Sequence, residues 1–481
     1  MHHTTRVFKR IAAGILFLIF CFQAAPAYSY DGDSIVVVAS HKYKRNGLGR
    51  LIFGTNYRED WETPVKMPVL DIHKERGGLT LVSLKGGFES ISMNMVTIDS
   101  VQLVLRTIDK DLKKLIPKML KHTFIQSITQ DIISSSEPYA PLTVTIMANA
   151  LGLVTTNPKL FYVDDTAFGK YHEFFDGKVC LLEDRIPVRP GTKHEEMESP
   201  FTKVRADNHN VVLQKDLLRA RLFDMIIGDW DRHPGQWNWG SYDSAGNKYF
   251  YPVAVDRDMV YFNCNGAFLG YIRIYAVHYM RGFKSRICKL YWFNKKARDF
   301  DRLLLNELSA DDWAATIKEV QGKLNDSIVN LAVNQMPAEI LALRGNEIKQ
   351  KLKSRRDGLY PAAMKYYGRL AKHVYIATSD KPDYVKATRN NQQTDLAIYN
   401  SADETEQGRI YHRVFDRKQT KRIYLVGIAD NDKTELPSKS STKIKIIRAG
   451  QKNFHKYDIR QWNMKLLGKS VNHLGQPGFK G

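Results

Sequence analysis

The stretch Phe223–Asp258, FDMIIGDWDRHPGQWNWGSYDSAGNKYFYPVAVDRD, decides how the chain is read. Its first part, Phe223–Asp229, is apolar with small and acidic punctuation and can close a buried helix. Asp231-Arg232-His233 follows in a polar turn with Pro234 and Gly235. A Ser/Asp/Gly hairpin signal at Ser241–Asn247 leads into an apolar run, Tyr249–Val255, which stops at Asp256-Arg257-Asp258. Helix, acidic loop, turn and strand thus deliver two carboxylates, Asp231 and Asp256. Such a pair suits phosphoryl transfer: one acid orients or deprotonates an acceptor hydroxyl, and the other holds the metal that neutralises the phosphates. A bare Asp-Arg-His is more often a surface turn with a local ion pair; the strand ending in Asp256 tips the reading.

The pattern FD-x-x-I-G-x-x-DRH, followed by an apolar strand and Asp, resembles the catalytic loop of atypical kinases. The secretory-pathway casein kinases, the HipA-like kinases and, more distantly, the phosphoinositide lipid kinases carry it. From Ser40 to Gly450 the chain also resembles a family of secreted Bacteroidota proteins. In those relatives this region stands beside a metallophosphatase domain or ahead of a BamA-like outer-membrane barrel. LGLVTTNPKLFYVDD, beginning at Leu151, is similar to the corresponding stretch in both lineages. The resemblance implies Asp231 as catalytic acid, with Gln236 standing where such loops carry a metal-binding Asn. Asp256 would be the second metal ligand, with Asp258 as its alternative. ATP and Mg²⁺ or Mn²⁺ are the implied cofactors, and a hydroxyl of unnamed identity is the acceptor.

Upstream, Gly77-Gly78 and Gly86-Gly87 bracket an apolar strand, and glycine lets backbone N–H groups approach phosphates closely. The resemblance makes Gly86-Gly87 the lid over ATP. Val101, Leu103 and Leu105 alternate as in a half-buried strand over Ser100–Lys110. Kinases place their phosphate-binding Lys here; in this chain the position falls on Arg106, with Lys110 the nearest lysine. Arg binds phosphate bidentately but differs from Lys in reach and pKa, which bears on catalysis more than on nucleotide binding. Helices are expected over Leu112–His122 and Thr123–Ser135, with Asp131 placed to pair with the strand cation. A helix over Ala140–Gly152 and strands at Leu160–Asp164 and Lys178–Asp184 follow, and Leu182–Arg185 falls where a hinge would meet adenine. Tyr43–Arg50, Arg58–Glu62 and Pro187–Glu198, including His194-Glu195-Glu196, read as solvated loops.

Val212–Ile227 is a strong helix leading into the loop. Met259–Phe268 and Tyr271–Phe283 are rich in aromatics and arginine, suiting either an acceptor groove or plain packing. Ser309–Val374 is helical, opened by a Ser309/Asp312 capping box. From Val374 short β-branched runs alternate with polar turns, the spacing of a small all-β domain. The expected class is α+β: a two-lobed protein-kinase-like core followed by that β domain. Residues 30–185 would form the N-lobe, 186–374 the C-lobe, 375–450 the β domain and 451–481 a basic tail.

Met1–Ser29 has the charged start, short apolar core and small-residue cleavage sites of a secretory signal peptide, and Cys21 lacks the context for lipidation. Net charge is +21, and removing the three cations of that segment leaves +18. For an exported protein such a bias suits anionic lipid headgroups, lipopolysaccharide phosphates or acidic glycans. Nucleic acid stays a minor option, since neither zinc-ligand spacing nor a recognition-helix signature is seen. Cys180, Cys264 and Cys288 do not make a disulfide framework; a Cys264–Cys288 bridge and buried thiols both stay open. The expected location is the periplasm or the outer-membrane surface, without a transmembrane barrel. Three functions compete: an ATP-dependent phosphotransferase, a pseudokinase that only binds, and an envelope adaptor that holds lipid or glycan.

Overall fold

The computed structural model describes residues 30–448 apart from 32, 87–89, 113–128, 165–167, 196, 198, 276, 288, 401–407, 430 and 438–441. The expected signal peptide with Cys21, the basic tail, Gly87, Cys288 and most of the two helices expected over 112–135 lie outside the described residues. Of that last segment, Ile132–Ser135 is a single 3₁₀ turn.

Leu217, Leu218, Leu222, Phe223, Met225, Ile226 and Ile227 drive helix α1 (Gln214–Ile227) into the core, and all seven are buried, while Lys215 in its first turn stays exposed. Arg221 and Asp224 are carried inside with them. Burial of charge is tolerable only with partners, and Arg221 Nη1 reaches Asp224 at 2.6 Å while its Nε reaches Asp301 at 2.9 Å. The last turn of a helix leaves carbonyls without donors. Arg355 supplies them, donating to Met225 O and Ile226 O, both at 2.6 Å.

Gly228 then ends α1 in the left-handed region, φ +77°, a conformation that a Cβ makes costly. A Cβ there would also stand 2.9 Å from Phe283 Cδ2. Gly228→Ala is therefore expected to destabilise the chain by about 1–3 kcal/mol, seen as a lower urea midpoint at unchanged slope. A variant as stable as the wild type would show that the Phe283 ring moves aside freely.

Five strands form one antiparallel sheet: β1 (Leu79–Gly86), β2 (Ile91–Thr97), β3 (Gln102–Thr107), β4 (Lys159–Val163) and β5 (Lys178–Asp184), in the order β1-β2-β3-β5-β4. Strand alternation sends Met93, Met95, Leu103, Leu105, Cys180 and Leu182 to one core with Phe161 and Phe175. The opposite face presents Arg106, Leu181 and Glu183 to the cavity described below.

Beyond α1, Trp237–Ser244 (β6) and Asn247–Ala254 (β7) form a hairpin. Its two-residue turn, Ala245 and Gly246, has both φ values positive, as the right-handed twist of the strands demands. Lys193–Glu195 pairs with β6 and is a strand rather than the solvated loop that its polarity suggested. The reason is tertiary: Glu195 accepts from Ser241 Oγ at 2.7 Å and from Lys248 Nζ at 3.0 Å.

The following helices include Ala310–Lys323, capped reciprocally by Ser309 and Asp312 as expected. After His373 come a three-stranded parallel sheet and a four-stranded sheet, enclosing Ile376, Val385, Leu396, Phe415, Ile423 and Leu425. Tyr411 Oη and Arg413 Nη1 both donate to Asn306 O, tying this region to the helices. No helix among the described residues is long and apolar enough to cross a membrane. Cys180 is a buried free thiol, and Cys264 is buried.

Candidate functional site

The loop after α1 is held by one side chain. Arg232, 1 % exposed, donates to Gln236 O at 2.8 Å and Val255 O at 2.6 Å. Its other nitrogens meet Asp229 and Asp224. Val255 N–H also donates to Gln236 O at 3.2 Å. Gln236 thus stands at the foot of β6 opposite Val255 at the end of β7, and Asp256 is the next residue. Asp256 takes φ +56°, a region that Asp and Asn tolerate better than other residues with a Cβ. Beneath the loop, Arg257 Nη1 meets Asp224 at 2.7 Å. Arg221, Arg232 and Arg257 against Asp224, Asp229 and Asp301 make a charge-balanced buried cluster.

Asp231 is left facing away from this clamp. Its carboxylate is paired with Lys296 Nζ, a lysine held 4.9 Å from the Trp230 ring centroid. His233 N–H donates to Asp231 O at 2.8 Å, and Gly235 N–H donates to His233 Nδ1 at 3.1 Å. Burial pushes the His233 imidazole below its ordinary pKa, so its neutral form is favoured.

The sheet brings cations to the other side. Arg106 on β3 stands 3.8 Å from the Asp256 carboxylate and 3.2 Å from Glu183 on β5. Lys110, just past β3, pairs with Asp258. Burial raises the Asp256 carboxyl, but Lys110, Arg106 and Arg232 outweigh it and hold the group below the usual carboxylate range. Burial pushes the Glu183 carboxyl up, opposed by Arg106.

The expected residues therefore separate. Arg106, Asp256 and Asp258 line one cavity with Lys110 and Glu183, whereas Asp231 and Gln236 do not line it. Gly86 ends β1, and Gly87 lies outside the described residues. Asp131 does not pair with the strand cation: it is buried against Arg58 and Arg45, at 2.5 and 2.9 Å. Arg58 reaches it because Arg58–Glu62 is a helix with Arg58, Asp60 and Trp61 buried, not the expected solvated loop. Gly47–Phe53 is likewise a helix. Glu183, expected in a hinge, lies within β5 and takes the position opposite Arg106 that Asp131 was expected to fill. Lys296 carried no signal, since nothing in the spacing of Lys295-Lys296 points to Asp231.

A divalent cation needs oxygen donors. Among the described residues no cluster of three or more His, Cys, Asp or Glu is set to hold a metal. Mg²⁺ asks less of a protein, being held by one or two carboxylates plus phosphates and water. Asp256 is an anionic donor, and Gln236 Oε1 and Asp258 Oδ1 are buried without a hydrogen-bond partner. These are residues that fit such an ion. The cavity itself measures about 70 Å³, room for a few waters rather than the several hundred Å³ a drug-sized ligand fills.

No family model matches the chain, and no curated protein sequence matches it. A solved structure, that of the Helicobacter pylori proinflammatory kinase CtkA, is similar at 10 % identity and a TM-score of 0.30, over 58 % of this chain and 94 % of that chain. A TM-score of that size does not establish a common fold. None of these comparisons shows the secreted family whose relatives carry a metallophosphatase domain or a barrel beside this region.

Proposed function

We propose that the chain is an exported, kinase-type phosphotransferase that binds ATP with Mg²⁺ or Mn²⁺ between a sheet lobe and a helical lobe. The observation that carries this reading is the meeting of Arg106 and Asp256 at 3.8 Å. A strand cation and a strand-end acid, far apart in sequence, face each other beside Lys110 and Asp258. Arg106 would contact phosphate, and Asp256 with Gln236 would hold the metal, Asp258 being the alternative. Bound there, the cation supplies charge neutralisation on the phosphates. Asp231 would take or orient the proton of the acceptor hydroxyl, with Lys296 fixing its carboxylate. Asp229 and Arg232 keep the loop in place.

A second reading, a nucleotide-binding protein without turnover, is favoured by one pair. Arg106 replaces the expected lysine and is engaged by Glu183 at 3.2 Å, which competes with phosphate for the guanidinium.

Thermal unfolding of residues 30–481 with ATP and Mn²⁺ or Mg²⁺ tests the site. Ligand at a hundredfold its Kd adds about 2.7 kcal/mol. Asp256→Asn is the better partner variant than Ala, because Asn tolerates the left-handed backbone of φ +56°. Stabilisation that needs the metal and disappears in Asp256→Asn is expected. No shift with any nucleotide would overturn both readings and leave the envelope adaptor.

A further inference from the structure

A second cavity, of about 880 Å³, opens between Ser285–Ile287, Lys289 and the short helix Leu290–Phe293 on one side and the helix Leu359–Ala371 on the other. It shares no lining residue with the cavity at Asp256. Four of its lining residues are cations: Arg286, Lys289, Lys365 and Arg369, and none is an acid. None of the four is ion-paired with a described residue, unlike the charges of the loop cluster. Arg369 lies over the Tyr291 ring at 4.7 Å, which fixes its direction without neutralising it.

All four cations are exposed, so their charged heads are open to a ligand from solvent. Lys365 and Arg369 stand four residues apart on one helix face, where like charges repel. Lys289 takes φ +54°, a conformation thinly populated by residues other than glycine and often found at binding sites. The sequence around it keeps acids away: residues 259–298 contain eight Lys or Arg and no Asp or Glu. A concave surface of one sign with low-dielectric walls concentrates the field inside it. At its rim Trp292 is 39 % exposed and stacks on His278 at 4.9 Å, an aromatic face of the kind that takes a sugar or polyol ring.

We propose that this groove is a binding site for a small sugar or polyol carrying two or more phosphate groups, free or as the headgroup of a lipid. Arg286 and Arg369 offer planar forks to phosphate oxygens, and Lys289 and Lys365 act as point charges. The inference is independent of the phosphotransferase reading, since it needs neither Asp231 nor Asp256.

The test titrates the purified chain with inositol hexakisphosphate, followed by calorimetry and by tryptophan fluorescence. Inorganic phosphate and vesicles of phosphatidylcholine with and without a phosphoinositide run beside it. Lys365→Glu/Arg369→Glu is expected to weaken binding of the hexakisphosphate by more than about tenfold. Lys318→Glu/Lys349→Glu, an equal change of net charge elsewhere, should leave it unchanged. Arg286→Glu on the opposite wall repeats the test should the double variant not fold. Binding of the free polyphosphate without the phosphoinositide vesicles supports a soluble ligand; binding of both supports a headgroup. Absence of binding, or equal weakening by the groove and control variants, overturns the proposal.

Discussion

Asp231→Asn is expected to slow phosphate transfer by about 100- to 10,000-fold while leaving metal-dependent nucleotide stabilisation in place. The substitution keeps the side chain's size and removes its charge and its capacity to accept a proton. The loop should not move, because its position is set elsewhere: by Arg232 on Gln236 O and Val255 O, and by Asp231 N–H on Asp229 at 3.3 Å. Asp231 is also outside the cavity lined by Arg106 and Asp256, so nucleotide affinity should be little changed. Transfer would be read as release of the γ-phosphoryl to water or to the chain itself in single turnover. Lys296→Met is a companion, since Lys296 Nζ pairs with this carboxylate. Loss of rate in both, with stabilisation intact in both, supports the assignment. A wild type that is stabilised by nucleotide but turns none over would sink the catalytic role of Asp231 and leave the binding-only reading.

The residues legible in the sequence are those whose neighbours are local. Asp231, Gln236 and Asp256 sit on one loop and one hairpin, so chain order alone keeps them in one region, although Asp231 and Gln236 stay out of the cavity that Asp256 lines. Arg106 was legible through alternation along β3. The short strands expected from Val374 onward are present for the same reason, being β-branched runs closed by polar turns. What was not legible depends on segments meeting from afar. Asp131 pairs with Arg58 rather than with the strand cation because packing buries Arg58 to 1 % exposure, which its polar neighbours in sequence do not signal. Glu195 joined a sheet because Ser241 and Lys248 met it, not because Lys193–Glu195 has strand character. Lys296 touches Asp231 across 65 residues, and no periodicity encodes such a meeting. Arg232 is legible as a member of the loop but not as its clamp, since its contacts with Asp224 on α1 and with Val255 just past β7 are visible only in the fold.

That clamp carries the largest stability effect. Arg232→Met is expected to cost about 3–5 kcal/mol, the loss seen when one partner of a buried ion pair is removed. Asp224 and Asp229 are both 0 % exposed. Without Arg232, three carboxylates of the cluster face two guanidinium groups. Asp224 keeps Arg221 and Arg257, at 2.6 and 2.7 Å. Asp229 keeps only Arg257, at 3.9 Å. Two backbone carbonyls, Gln236 O and Val255 O, lose a donor as well. The deficit should depend on pH with a definite sign. Burial already raises the Asp229 carboxyl above its ordinary value, against the pull of Arg232. Removing Arg232 raises it further. A carboxyl whose folded pKa lies above its unfolded one favours folding below the unfolded value, and that contribution is lost as pH rises through the folded value. The deficit of Arg232→Met relative to wild type should therefore be smallest in mild acid and grow toward neutral pH. Denaturant midpoints at unchanged slope measure it, and Asp229→Asn/Arg232→Met should recover part of the loss, because it removes the stranded charge. A deficit below about 1 kcal/mol, or one that ignores pH, would mean that water reaches Asp229. The loop bearing Asp231 and Gln236 would then be held by its backbone alone.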